Sequence, residues 1–140
     1  TLYNIHTHHL SADNIGGYRI VDILNVYPSV YAVESKRSDH CFFSCGIHPW
    51  YSFQISDQLE LIKKYISDER IVAIGEIGLD KLQGPPLATQ IDVFRSQVEI
   101  AIDHHKPLII HCVKCWEQLI AIYKTYQPRQ SWIIHGYRGK

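Results

Sequence analysis

The chain has 140 residues, 46% hydrophobic and 20% charged, with 14 Lys and Arg balancing 14 Asp and Glu. This is the composition of one globular domain with a real core rather than of a disordered or membrane chain, and the charge balance excludes a global field that would gather nucleic acid; a phosphate-rich ligand would need local charge or a bound metal. No apolar run reaches the length of a membrane span, and the first residues lack the basic-then-apolar order of a signal peptide.

In chain order, Leu2–His8 reads as an apolar strand ending in His6-Thr7-His8. Alternate residues of a strand share a face, so His6 and His8 point the same way, with Cα atoms about 7 Å apart, and can converge on one divalent ion. Arg19–Val26 is a second apolar, β-branched run that ends near Tyr27-Pro28. Residues Val30 to His40 read as a short helix flanked by loop. Cys41–Gly46 is a third strand running into Ile47-His48-Pro49-Trp50. Leu59, Ile62 and Ile66 predict a helix over Asp57–Asp68, capped by Ser56 or Asp57. Ile71–Ile77, bounded by Gly78, is the fourth strand. The stripe Ile91, Phe94, Val98 and Ile102 predicts a helix over Leu87–His105. Pro107–Cys112 is the fifth strand, Trp116–Tyr126 a helix carrying Leu119, Ile120 and Tyr123, and Ser131–His135 the sixth strand. Near-continuous apolar strands suit burial on both faces, and strand–helix alternation implies crossover units: an α/β class with a parallel sheet, in one domain over residues 1–140.

Of the four cysteines, Cys41 and Cys45 lie about 13 Å apart along a strand, too far to share an ion without a turn. Cys112 and Cys115 have Cys-x-x-Cys spacing but no partner pair to complete a zinc site. The reading is reduced thiols in a cytoplasmic protein.

Metal-ligand residue types recur at the C-terminal ends of the predicted strands: His6, His8, Glu76, His111 and His135. In a parallel α/β barrel every βα loop opens at that edge, which is where active sites form. A desolvated imidazole there is costly, and a metal removes the cost. The Glu76 carboxylate has two oxygens that can bridge two ions, and the flanking Gly75 and Gly78 allow close backbone approach. Asp80 reads equally as a partner orienting a ligand His or as a helix cap.

Ile5-His6-Thr7-His8, Gly46-Ile47-His48-Pro49, Gly75-Glu76-Ile77-Gly78-Leu79-Asp80, Lys106-Pro107-Leu108-Ile109-Ile110-His111 and Ile134-His135-Gly136 follow one another along the chain, with a helix bearing Gln90, Phe94 and Gln97 between. In that order they resemble the TatD-type metal-dependent deoxyribonucleases of the amidohydrolase-like barrels. The resemblance implies a (β/α)8 TIM-barrel-like fold with about six of eight units present, the C-terminal part missing. It implies that His6 and His8 hold one metal, that Glu76 bridges two, and that His111 and His135 hold the second. The implied reaction is hydrolysis of DNA or another phosphodiester, with two divalent ions (Zn, Mn or Mg, the His-rich set favouring Zn or Mn) clamping the phosphate and activating water. Glu76 and His48 are the catalytic candidates. His48, Lys114 and Arg138, with Lys140, are candidates for phosphate contact, and Trp50 or Tyr51 for stacking on a base.

The chain departs from the family pattern at Lys81, where an aromatic is usual, at Val113, where a basic residue is usual, and at Trp50, where a second His is frequent. The family's last ligand, an Asp ending strand eight, has no counterpart. Two open sheet edges lead to an expectation of self-association. The alternatives are a barrel phosphoesterase acting on phosphoprotein or a small phosphate ester, a hydrolase of amides or lactones, and a metal-binding fragment without full catalytic power.

Overall fold

Ile- and Val-rich segments alternate with amphipathic helices along the chain, and each segment pairs in parallel with the next one's strand. The computed structural model describes residues 1–12, 14–37, 40–53 and 55–138. Within them the strands are β1 (Leu2–Thr7), β2 (Asn14–Ile15), β3 (Tyr18–Val26), β4 (Phe42–Cys45), β5 (Ile71–Asp80), β6 (Leu108–Val113) and β7 (Trp132–Ile134). The helices are α1 (Tyr31–Glu34), α2 (Ser56–Tyr65), α3 (Leu87–Asp103) and α4 (Trp116–Tyr126), with 3₁₀ turns at Pro28–Val30 and Pro49–Tyr51. The sheet runs β1-β3-β4-β5-β6-β7, every pair parallel, with β2 folded antiparallel onto β3. This is a partial α/β barrel of six parallel strands. Among the described residues nothing pairs with the outer edges of β1 and β7. No helix of the described residues is long and apolar enough to cross a membrane.

Three expectations need correction. A short hairpin precedes β3, because Gly16 and Gly17 both adopt positive φ (57° and 83°) and so supply a two-residue turn whose twist matches the strands. α2 begins at Ser56, and its N-cap is Ile55 without a side-chain bond, so neither Ser56 nor Asp57 caps it. β5 does not stop at Gly78 but continues to Asp80, pairing Gly78 with His111 and Asp80 with Val113 on β6. At Gly78 φ is +144°, and a Cβ there would run into the carbonyl oxygen of His111. Gly75 is as tightly placed, since a Cβ would lie 2.7 Å from both Cβ and O of Ile109. Glycine therefore lets β5 lie against β6 where Glu76 must turn toward the barrel mouth.

The core forms where the apolar faces meet: Phe43, Ile47, Ile71, Ile74 and Ile77 from the sheet against Phe94, Val98 and Ala101 from α3. Two glutamines on the same face of α3 are also buried, and each binds a backbone segment with both ends of its amide. Gln97 accepts from Ile47 N–H (2.7 Å) and donates to Ile47 C=O (3.2 Å). Gln90 accepts from Asp80 N–H (2.8 Å) and donates to Asp80 C=O (2.9 Å), Gln83 C=O and Pro85 C=O. The helix thus holds the segments that follow β4 and end β5, satisfying backbone groups that would otherwise be buried unpaired.

In the same core Tyr31 of α1, buried against Phe43, donates its hydroxyl to Asp68 Oδ2 at 2.6 Å. That bond is the main cause holding the Asp68 carboxyl below its ordinary value of 3.8. A depressed folded-state pKa stabilises the fold above the unfolded pKa and loses that stabilisation as pH falls through the folded value. Tyr31→Phe is expected to cost about 1 kcal/mol at pH 7, the low end for a bond to a charged group because Asp68 is 35% exposed. Urea denaturation of both proteins should show the difference shrinking below pH 4; a difference independent of pH would place the cost in packing instead.

Candidate metal centre

Six ionisable side chains from five strand ends meet at the mouth of the partial barrel. Glu76 on β5 is at the centre, its side chain 4% exposed, and the peptide bond preceding it is cis. Its Oε2 faces the end of β1: His6 Nε2 at 3.3 Å and His8 Nε2 at 3.7 Å. Its Oε1 faces β6 and the segment after β4: His111 Nδ1 at 3.1 Å and His48 Nε2 at 3.9 Å. His135, just beyond β7, lies with its ring 4.2 Å from that of His6, tilted by 51°. The expected strand face shared by His6 and His8 holds only in part. β1 ends at Thr7 with a register shift, so His6 turns inward (5% exposed) while His8 stays 58% exposed at the rim.

Two groups of ligand atoms come close enough to share an ion: His6, Glu76 and His135, and His48, Glu76 and His111. The sequence resemblance paired His135 with His111; in the structure His135 stands beside His6, and His48 takes the place next to His111. Lys114 is exposed and lines neither the central cavity nor the groove beside it, whereas exposed Arg138 lines that neighbouring groove with His135. Lys140 lies outside the described residues.

The electrostatics are set by burial against hydrogen bonding. Burial alone would raise the Glu76 pKa, but the hydrogen bond to His111 and the proximity of the His6 and His48 rings outweigh it, and the carboxyl is held far below the usual range. Burial would lower His111, but hydrogen bonds to Glu76 and to Asp80 (Nε2 to Oδ2, 3.0 Å) raise it. Asp80 binds His111, and its Oδ1 accepts the N–H groups of Leu82 and Gln83 in the turn after β5; it caps no helix, since α3 begins at Leu87 after Pro86. The Trp50 indole N–H donates to the same Oδ2 at 2.7 Å. Burial pulls His48 down to about 4, so its ring is neutral near pH 7. Its Nδ1 accepts the Trp50 backbone N–H at 3.3 Å, which leaves the neutral ring's proton on Nε2, facing Glu76.

His6 carries the sharpest signal. Both of its ring nitrogens are buried and neither has a hydrogen-bond partner. Such orphaned atoms are costly, and a cation beside the ionised Glu76 would satisfy one of them. The donor set of imidazoles around a carboxylate fits a divalent transition ion or zinc. By contrast Cys45, Cys112 and Cys115 carry no activated thiolate: burial pushes Cys45 up to about 12 and raises Cys112 and Cys115, and none of the four cysteines forms a disulfide.

The central cavity, about 570 Å³, is lined by His8, His48, Glu76, His111 and His135 together with residues the sequence reading did not single out as part of the site, notably Asn25 and Tyr27. Asn25 and Tyr27 flank the end of β3, the one strand end that brings no metal-ligand type; a polar Asn inside the apolar run before Tyr27-Pro28 was the available signal.

Comparison with known proteins places this arrangement. A family model described as TatD related DNase matches residues 10–140. An uncharacterised metal-dependent hydrolase of Buchnera aphidicola is 33% identical over 73% of this chain and 39% of its own length. A protein of Erwinia tasmaniensis named 3'-5' ssDNA/RNA exonuclease TatD is 27% identical over 74% of this chain and 41% of its own length. A human 3'-5' RNA nuclease, TATDN2, is 32% identical over 68% of this chain and 13% of its own length. In three dimensions the Escherichia coli TatD homolog YJJV superposes with a TM-score of 0.75 at 22% identity, over 86% of this chain and 49% of that one, which speaks for the fold. The chain thus spans about two fifths of the length of the bacterial relatives it matches.

Proposed function

The chain belongs to the TatD related DNase family, and on that premise we propose that it carries part of a metal-dependent nuclease active site that hydrolyses phosphodiester bonds with two divalent ions. The observation that carries this reading is the buried, unpartnered His6 imidazole beside a buried, ionised Glu76. His6 and His8 would hold an ion on the Oε2 side of Glu76, with His135 adjoining, and His111 an ion on the Oε1 side. When bound, the ions supply Lewis-acid neutralisation of the phosphate and an acidified water.

The chain's own residues do the rest. Glu76 offers one oxygen to each side and stays ionised. Asp80 accepts from Nε2 of His111 and so orients the ring with Nδ1 toward Glu76. Trp50 holds Asp80 in turn, from the position where the family frequently has His. His48, neutral and protonated on Nε2, is a donor suited to a phosphate oxygen more than a cation ligand. The substrate class is single-stranded DNA or RNA, as the names of the relatives indicate.

The test measures metal stoichiometry by calorimetry and turnover of a labelled single-stranded oligonucleotide with Mn²⁺. The His6→Ala, His8→Ala double variant is expected to lose one equivalent of metal and turnover with it. Unchanged stoichiometry would remove this site from the scheme. Full metal binding without turnover in the unaltered protein would favour the non-catalytic module.

A further inference from the structure

Beside the metal-type cluster lies a slot walled by three aromatic rings. Tyr27 follows β3, Tyr51 ends the 3₁₀ turn after His48, and Phe53 comes two residues later; together they bound a cavity of about 350 Å³. Tyr27 and Tyr51 also line the 570 Å³ central cavity, so the slot opens directly off it. Tyr51 meets Tyr27 edge-on at 6.2 Å and lies 6.1 Å from His48, whose Nε2 faces Glu76. Tyr51 and Phe53 are 53% and 58% exposed, an aromatic surface held open to water at the mouth of the site.

We propose that this slot binds one unpaired nucleobase of the substrate strand, stacked against Tyr51 and Phe53, while the adjoining phosphate lies at His48 and the metal-type cluster. The proposal rests on the nuclease reading above and specifies how it holds its substrate. Charge supports stacking over a basic groove: the chain has no net charge, and among the described residues no Lys or Arg lines either cavity. With no Lys or Arg lining either cavity, aromatic stacking supplies affinity beyond what the phosphate gains at the metal-type cluster, and it accepts any base. Bases inside a duplex are already stacked and paired, so the slot selects single strands and frayed ends.

The experiment compares a labelled oligothymidylate with an abasic oligomer of equal length, using the full chain with Mn²⁺. KM for the base-bearing strand is expected to be about tenfold lower than for the abasic one. Phe53→Ala and Tyr51→Leu should narrow that ratio, and Tyr51→Phe, which keeps the ring, should preserve it. The logarithm of affinity should fall only shallowly with the logarithm of salt, with a slope smaller in magnitude than about 2. Equal KM values in the unaltered protein, or variants that weaken both oligomers alike, would overturn the slot. If neither oligomer is cleaved, the nuclease reading fails by itself. Anisotropy with the same two oligomers then decides the slot: preference for the base-bearing strand that Phe53→Ala abolishes supports it, and equal binding overturns it.

Discussion

Glu76→Gln is expected to weaken divalent-metal binding on both sides of the carboxylate together, by more than about 100-fold, beyond the 10–100-fold typical of losing a group that only orients a ligand. The reason is geometric: one oxygen faces His6 and His8, the other His111 and His48. The amide keeps the shape and its carbonyl can still accept from His111, so the metal-free variant should fold. Thermal melts with and without Mn²⁺ separate the effects, because a ligand that binds only the native state raises the melting temperature by an amount that grows with the logarithm of its concentration over its Kd. The unaltered protein should gain stability with Mn²⁺ and the variant should not. An equal gain in both would return Glu76 to a purely structural carboxylate.

Gly78→Ala should be the most damaging single methyl group in the chain. The added Cβ meets the His111 carbonyl oxygen, and φ of +144° lies where an L side chain is strained. Neither β5 nor β6 can move aside, since Leu79 and Ile110 beside the contact are fully buried. A cost of about 4 kcal/mol follows from combining strain with overpacking, a large share of the 5–15 kcal/mol that holds a typical domain. Chemical denaturation, or loss of soluble expression, would register it. A denaturation midpoint unchanged from the parent would contradict the close β5–β6 approach.

Much of the architecture was legible because burial on both faces leaves a plain mark: runs such as Ile71–Ile74 and Leu108–Ile110 admit few polar residues. What escaped had specific causes. β2 is two residues long, too short for any periodicity, although Gly16-Gly17 announced its turn. Gly78 read as a strand terminator because glycine usually interrupts strands; here it permits the strand to continue against a neighbouring carbonyl. The ligand types were readable one strand end at a time, but which of them meet depends on how the sheet curls. His135 therefore sits beside His6, a partner far from it in sequence. Gln90 and Gln97 entered only through the family resemblance. Their task, binding the backbone of Asp80 and Ile47, is invisible to a pattern that sorts residues into apolar and polar.

Those two glutamine clamps also bear on how the site moves. The segments bearing His48 and Asp80 end strands, a place where local opening ordinarily costs little. Here the amide protons of Ile47 and Asp80 are given to side chains of a core helix. Their hydrogen exchange should follow the slow protons of α3 rather than those of surface loops. The histidine and the carboxylate then keep their spacing until the helix lifts from the sheet, and the chemistry of the mouth inherits the persistence of the core.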